Sequence, residues 1–260
     1  MNAQFNLGIM YATGKGAPRD YKEAVKWIPM SAEQGNAEAQ FSLGWAYLEG
    51  NGVTQDYKKA MKWYHLAAEQ DHIDAYVHLG NMSAEGGEGS SFQEASKWYS
   101  LAAENGNTEA QFRLGSMYSS GEGVFQDDQA ALKCYHLAAQ GDYPYAQYAQ
   151  CNLAGAYERG EGVSQDYQQA YKLYRSSAVH GIPESQFNLG NMYSRGKGIS
   201  QDYQQAYKWY LLAIENGFKT TINGTREHLM EIRQLMLPTQ IKKAEELAKK
   251  CLQENYKNCD

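Results

Sequence analysis

One leucine–glycine pair recurs along this 260-residue chain at a nearly fixed interval. Its glycines are Gly8, Gly44, Gly80, Gly115 and Gly190, at intervals of 36, 36, 35 and then 75 residues. The last interval is a double step, because Leu153-Ala154 has alanine in the place of the glycine. A fixed period of this length is typical of proteins built from stacked repeats, and it constrains the fold before any single residue is considered.

Each repeat is predicted to form two helices joined by a glycine-rich turn. The first half follows the pattern Ala-Gln-Phe-x-Leu-Gly-x-x-Tyr, and a Gly-x-Gly-Val turn comes next. The second half follows Asp-Tyr-x-x-Ala-x-x-Trp-Tyr-x-x-Ala-Ala-x-x-Gly, and both halves have apolar residues at helical spacing. Aspartate or serine before the second half is a good N-cap. The predicted caps are Asp20, Asp56, Ser91, Asp127, Asp166 and Asp202.

The recurring glycine falls in the middle of the first predicted helix. Glycine there costs about 1 kcal/mol relative to alanine. Because this cost recurs in five of six repeats, we expect a compensating cause. Close approach of a neighbouring helix, which a larger side chain would prevent, is the cause that we predict at positions such as Gly44.

The combined motifs resemble those of the Sel-one-like repeat family, a relative of the tetratricopeptide repeats. The resemblance covers about residues 1–217 in six copies, and it implies an all-α fold, a right-handed superhelix (solenoid) of helical hairpins with a concave inner face. Members act as adaptors and scaffolds for protein complexes, in eukaryotic quality control and in bacterial signalling and host interaction. A secreted branch carries a cysteine pair in each repeat, and this sequence lacks those pairs.

The predicted boundaries of the repeats are 1–35, 36–71, 72–106, 107–142, 143–181 and 182–217. The third repeat has a shortened turn at 86–89, and Pro29 is expected to bend the helix that contains it. Three extra residues near Pro144 are expected to lengthen the next helix at its start. Residues 218–260 are predicted to form two amphipathic helices, at 225–237 and 239 to about 256, that cap the array, with a partner-binding tail as the alternative.

Charge and hydropathy exclude several classes of protein. The net charge of −6 leaves no dense basic surface for nucleic acid. The sequence contains no run of about 20 apolar residues, the length that is needed to span a membrane. The first residues carry no basic-then-apolar leader and already lie inside a repeat, since Ala3 matches Ala39, as in a piece cut from a longer chain. The location is open: cytoplasmic by default, periplasmic or secreted if a leader has been removed.

No motif for chemistry is present in the sequence. The six histidines have no metal-ligand spacing, and Gly190 to Lys197 resembles a phosphate loop only because the repeat itself generates this spacing. Cys134 and Cys151 replace recurring aromatic residues and are interpreted as small core side chains, while Cys251 and Cys259 could pair only if the tail folds back. We therefore predict no cofactor, no metal and no catalysis. The alternative is a hydrolase whose site lies in the groove.

Residues that differ between repeats are the candidates for recognition, because recurring residues make the scaffold. Four positions of each first helix, spaced i, i+4, i+7 and i+11, form a stripe that varies; in the second repeat they are Glu38, Ser42, Trp45 and Glu49. The earlier repeats contribute Trp45, Glu49, His78, Asn81 and Glu85. The later repeats contribute Arg113, Asn152, Arg159, Asn188, Asn191 and Arg195.

Arginine combined with asparagine suits carboxylates and peptide backbone, because guanidinium and amide groups form hydrogen bonds with both. We therefore expect a monomer whose concave face binds a protein or an extended peptide with an acidic end. An ordinary solvated helix face is the alternative.

Overall fold

The computed structural model describes residues 2–85, 91–217, 222–256 and 259. These residues contain fourteen α-helices and no strand, so the fold is all-α, as predicted. The shortened turn at 86–89 lies outside them. The helices are α1 Asn2–Thr13, α2 Tyr21–Ala32, α3 Ala37–Glu49, α4 Tyr57–Ala68, α5 Ile73–Ala84, α6 Phe92–Glu104, α7 Thr108–Ser120, α8 Asp128–Ala138, α9 Tyr145–Arg159, α10 Tyr167–Ala178, α11 Pro183–Arg195, α12 Tyr203–Glu215, α13 Ile222–Gln234 and α14 Pro238–Gln253.

The chain divides into two compact units, Met1–Gln126 and Asp127–Asp260. In the first unit, α1 packs on α2, α3 on α4 and α5 on α6, while α2, α4 and α6 each also contact the helix that follows. In the second unit, α9 packs on α10 and α11 on α12, with further contacts between α8 and α9 and between α10 and α11. Each unit is therefore a stack of helical hairpins.

The predicted N-caps are confirmed in all six repeats. The Asp56 carboxylate accepts a hydrogen bond from the backbone N–H of Lys59, and the side chain of Ser91 accepts one from Glu94. Aspartates at the same place before α2, α8, α10 and α12 do likewise. These bonds satisfy a backbone donor that the first helical turn leaves unpaired, and they fix where each second helix begins.

The two glycines of the turn have separate tasks. Gly50 ends α3 in the left-handed conformation at φ 73° and donates its N–H to the carbonyl of Ala46. Gly52 lies directly against the backbone of Tyr21 in the preceding repeat, where a Cβ atom would overlap the carbonyl group. The first glycine therefore terminates a helix, and the second lets one hairpin touch the next.

The mid-helix glycines Gly44, Gly80 and Gly190 lie under a tyrosine ring, which confirms the predicted close approach. A Cβ atom built on Gly44 would stand 2.8 Å from the ring of Tyr64, which belongs to the second helix of the same repeat. A Cβ atom on Gly190 would stand 2.6 Å from the ring of Tyr210. Since both tyrosines are fully buried, the ring cannot move away. The propensity cost of glycine is offset by the burial of a tyrosine.

A recurring buried glutamine joins consecutive repeats. The amide of Gln40 in α3 donates to the carbonyl of Ala32 at the end of α2, at 3.2 Å. Gln111 and Gln186 make the same bond to carbonyls eight residues earlier, at 3.2 and 3.0 Å. A helix end buried between two hairpins needs such a partner for its last carbonyls, and this explains why glutamine occurs in the Ala-Gln-Phe motif.

Two local departures can be compared with the structure. Helix α2 continues through Pro29 to Ala32. Helix α9 has 15 residues, against 12 or 13 in the other first helices, and it begins directly after Pro144. The predicted lengthening at its start is therefore confirmed.

The tail folds back onto the last hairpin. Helices α13 and α14 both contact α12, and the apolar face of α14 is buried at Ala244, Ala248 and Cys251. Each helix ends three residues earlier than the sequence predicted, and α13 also begins three residues earlier. Cys251 forms a disulfide with Cys259, which settles the pairing that the sequence left open.

Lys208 of α12 is buried beneath the tail, with 1% of its surface exposed. Its ammonium group donates a hydrogen bond to the carbonyl of Cys259 and stands 4.5 Å from the centroid of the Trp209 ring. A buried ammonium must be hydrogen-bonded to be tolerated, so the last described residue of the tail contributes to holding this lysine.

Candidate partner-binding surface

The predicted recognition residues lie on first helices in both units, and each unit is described separately. Trp45 and Glu49 belong to α3, His78 and Asn81 to α5, and Glu85 follows α5 as its C-cap. The remaining residues are Arg113 on α7, Asn152 and Arg159 on α9, and Asn188, Asn191 and Arg195 on α11.

In the first unit, His78 connects two repeats through aromatic contacts. Its ring stacks on the ring of Tyr64, with 5.0 Å between centroids and 22° between planes, and meets Phe41 edge-on at 5.3 Å. Burial lowers the pKa of His78, while the carboxylates of nearby acidic residues oppose this shift. The imidazole is therefore largely neutral at neutral pH, and it serves as a packing group between repeats.

Asn81 and Asn191 hold the tyrosines that cover the helix glycines. The hydroxyl of Tyr99 donates to the side-chain oxygen of Asn81 at 2.6 Å, and that of Tyr210 donates to Asn191 at 2.8 Å. Sequence reasoning missed this structural role. The available signal was that both asparagines directly follow the recurring Leu-Gly pair in repeats that also carry the tyrosine.

The second and fifth repeats show what happens without this asparagine. Trp45 follows the Leu-Gly pair in the second repeat, and the buried hydroxyl of Tyr64 has no hydrogen-bond partner there. Burial also raises the pKa of Tyr64, so the hydroxyl stays protonated. In the fifth repeat, Tyr174 donates instead to the carboxylate of Glu158 at 3.2 Å. An asparagine directly after the glycine is therefore one way to hold this tyrosine, and Glu158 provides another.

Arg113 and Arg159 each form an ion pair with a glutamate that is close in the sequence. Arg113 Nε lies 3.0 Å from the carboxylate of Glu109, one turn earlier on α7. In the second unit, Nε and Nη2 of Arg159 donate hydrogen bonds to the two carboxylate oxygens of Glu161, at 2.6 and 2.7 Å. Both arginines are exposed, so each pair is worth about 0–1 kcal/mol in water.

Arg195 differs from the other two arginines. It is exposed at the C-terminal end of α11 and makes no ion pair with any described residue. Asn188 lies two turns earlier on the same helix face and is half-buried, as is Asn152 on α9. The second unit therefore presents an exposed guanidinium group and half-buried amide side chains on its first helices.

The family relationship follows from comparison with known proteins. The model of the Sel1 repeat matches residues 2–36, 37–72, 73–107, 108–143, 147–181 and 183–218. The chain belongs to the Sel1 repeat family. Each matched segment contains all or most of two consecutive helices, of which the first is α1, α3, α5, α7, α9 or α11.

Two solved structures illustrate the likeness. A Sel1 repeat protein from Oxalobacter formigenes is 35% identical with a TM-score of 0.70, and the alignment covers 82% of this chain and 87% of that one. The protective antigen c5321 of uropathogenic Escherichia coli, which displays an SLR fold, is 25% identical with a TM-score of 0.47, covering 99% and 77%. No curated protein sequence matches the chain.

The free thiols of this Sel1 repeat protein are not activated. Burial raises the pKa of Cys151 to about 11 and also raises that of Cys134. Within the described part of the chain, no group of three or more histidine, cysteine or acidic side chains could hold a metal ion. No helix of that part is both long and apolar enough to cross a membrane.

Proposed function

We propose that this protein is a non-catalytic, monomeric scaffold that binds a protein partner through an extended segment with an acidic end. Sel1 repeat proteins generally mediate protein–protein interactions, and this supports the class of function. The specific surface that we propose consists of the variable residues of the first helices, with carboxylate recognition by Arg159 and Arg195 in the second unit.

Arg195, which is exposed and makes no ion pair with any residue that the structure describes, carries the proposal. A guanidinium group offers a planar fork of donors that matches a carboxylate, and such charge-assisted hydrogen bonds are about twice as strong as neutral ones. Asn188 and Asn152 add amide groups that can donate to and accept from a peptide backbone. A segment with a terminal or side-chain carboxylate fits this combination of groups.

Arg159 can take part because its present partner is weakly held. Arg159 and Glu161 are both exposed, and Arg159 lowers the pKa of the Glu161 carboxyl by hydrogen bonding. An ion pair in such surroundings contributes little net stability, so a carboxylate of the partner replaces Glu161 at small cost. Glu161 then holds the arginine side chain while no partner is bound.

The non-catalytic part of the proposal rests on the thiols and on the packing roles of polar groups. Cys151 has a raised pKa, which disfavours the nucleophilic thiolate. His78 is engaged in ring contacts between repeats. No specific observation favours a hydrolase, and turnover of a broad panel of hydrolase substrates by the purified chain would contradict this part.

The double variant Arg159→Ala/Arg195→Ala tests the proposed surface. We expect at least about a tenfold weaker capture of the partner that the unaltered chain pulls down, since charge-assisted bonds contribute about 1.5–3 kcal/mol each. The melting temperature should fall by no more than about 2 °C, because only an exposed pair is lost. Quantitative pull-down and thermal unfolding measure the two effects.

The matched control is Lys133→Ala/Lys172→Ala, which removes two exposed positive charges from the second helices α8 and α10 of the same unit. It should leave partner capture unchanged. If both double variants capture the partner equally well, the arginines belong to an ordinary solvated surface and the proposed recognition is contradicted.

A further inference from the structure

A pocket of about 240 Å³ opens in the first unit between α1, α2 and α3. Its position between the first two repeats makes it part of the scaffold, yet no side chain of the described residues fills it. Most of its wall is apolar, and the main apolar side chains are those of Ile9, Ala12, Val25, Ile28, Phe41 and Trp45.

The pocket exists because the first repeat lacks an aromatic ring that the others have. Ile28 occupies the place over Gly8 that Tyr64 occupies over Gly44, and a Cβ atom on Gly8 would stand 2.6 Å from its Cγ1. Tyrosine stands at this place in each of the five later repeats. Isoleucine covers the glycine, but it does not extend as far as a tyrosine ring.

The opposite wall of the pocket has also lost a ring. Tyr64 extends to the next repeat, where it stacks on His78, two residues before Gly80. The corresponding residue facing Ile28 is Ser42, two residues before Gly44. Ile28 and Ser42 therefore stand where a tyrosine ring and a histidine ring pack together in the following repeat. The space left between these two smaller side chains is open to the surface.

The equivalent pocket between the third and fourth repeats has a different character. It measures about 280 Å³ and retains Tyr99 as its tyrosine. Arg113, Ser116 and Glu122 line it with polar groups. Trp45, which is 38% exposed, stands in the first pocket at the place that Ser116 takes in the other. The first pocket is thus the one whose wall suits an aromatic ring.

One carboxylate stands a single helical turn from the wall of the first pocket. Glu49 is exposed one turn after Trp45, on the same face of α3. A group that enters the pocket is therefore favoured when a positive charge lies beside it.

We propose that this pocket binds an aromatic side chain of a partner segment, flanked by a basic residue that pairs with Glu49. The inserted ring takes the place that the tyrosine of the later repeats would take, between Ile28 and Trp45. This inference rests on the proposed protein-binding function and adds a second, apolar and cation-preferring contact to it. The two contacts predict a partner with an aromatic–basic element and an acidic element.

A tripeptide titration of the full chain tests the pocket. The probe is N-acetyl-Lys-Tyr-Lys-amide, added up to about 10 mM because ligands of this size bind weakly. We expect saturable shifts of the methyl NMR signals of Ile28 and Val25 and of the Trp45 indole signal. The control peptide N-acetyl-Lys-Ala-Lys-amide has the same charge and should shift these signals at least tenfold less at the same concentration.

Two substitutions at one position make the test specific. Ile28→Tyr restores the ring of the later repeats and fills the pocket, so it should abolish the shifts. Ile28→Val keeps the pocket open and should retain them. Dispersed methyl signals of Leu7 in α1 and Leu43 in α3, the helices that pack on α2, confirm that Ile28→Tyr leaves this part of the first unit folded. Trp45→Ala offers an independent way to remove one wall, with at least tenfold weaker binding expected.

The inference is overturned if the probe produces no saturable shifts at the pocket, if the alanine peptide shifts the signals equally, or if the shifts persist in Ile28→Tyr. Each of these results is separable from failure of the proposed function, because the probe contains no carboxylate. If the titration fails but partner capture still depends on Arg159 and Arg195, the pocket proposal is contradicted and the proposed function is not.

Discussion

Replacing Gly190 with valine is expected to lower the free energy of unfolding by about 3 kcal/mol, the upper part of the usual range for overpacking a buried site. The first added carbon would stand 2.6 Å from the ring of Tyr210, and the ring is fully buried. Tyr210 also donates to Asn191, so moving the ring strains that hydrogen bond as well. Urea unfolding of the variant and the unaltered chain measures the difference.

A double-mutant cycle shows whether the contact with Tyr210 is the cause. Tyr210→Ala alone should be destabilising because it leaves a cavity, but in that background Gly190→Val should cost far less than in the unaltered chain. Additive effects would mean that the glycine is required for another reason. Ala154, which already occupies this place in the fifth repeat, shows that one extra carbon is tolerated where the local packing allows it.

Removing the Cys251–Cys259 disulfide is the second change with a large expected effect. The bridge closes a loop with a sequence separation of 8, and the chain-entropy model assigns a loop this short about 2.5 kcal/mol. The loop also carries the carbonyl that accepts from the buried ammonium of Lys208. We therefore expect Cys251→Ser/Cys259→Ser to lower the free energy of unfolding by this amount or more, as measured by urea unfolding.

Reduction of the unaltered chain separates the bridge from the serine substitutions. A reductant should destabilise the unaltered chain nearly as much as the double substitution does, and it should have no effect on the double variant. Cys134→Ser/Cys151→Ser provides the control for the free thiols, and it should remain sensitive to the reductant. An unaltered chain that unfolds identically with and without reductant would contradict a stabilising role for the disulfide.

Recurrence explains why much of the fold could be predicted. The N-caps, the glycine turns and the mid-helix glycine each occur several times at fixed offsets, so one physical interpretation of Asp56 applies to every repeat and that of Gly44 to several of them. Side chains that occur once give no such support. Lys208 has a charged side chain that would ordinarily be exposed, and only the tail folding over it makes it buried.

The candidate surface was harder to predict for a related reason. Residues that vary between repeats were interpreted as available to a partner, yet Asn81 and Asn191 bond to tyrosines 18 and 19 residues away. Variation can also reflect packing, because the tyrosine needs an acceptor only where the neighbouring side chains provide none. The pocket beside Ile28 was overlooked because it results from side chains that are smaller than their counterparts, and a missing ring leaves no motif.

The binding surface is tested most directly by hydrogen–deuterium exchange of the full chain with and without its captured partner. Bound partner should slow exchange in the first helices of the second unit, at 152–159 and 188–195, and should leave α10 and α12 largely unchanged. Protection confined to α10, α12 or the tail helices α13 and α14, with none on α9 or α11, would contradict recognition by the variable residues of the first helices.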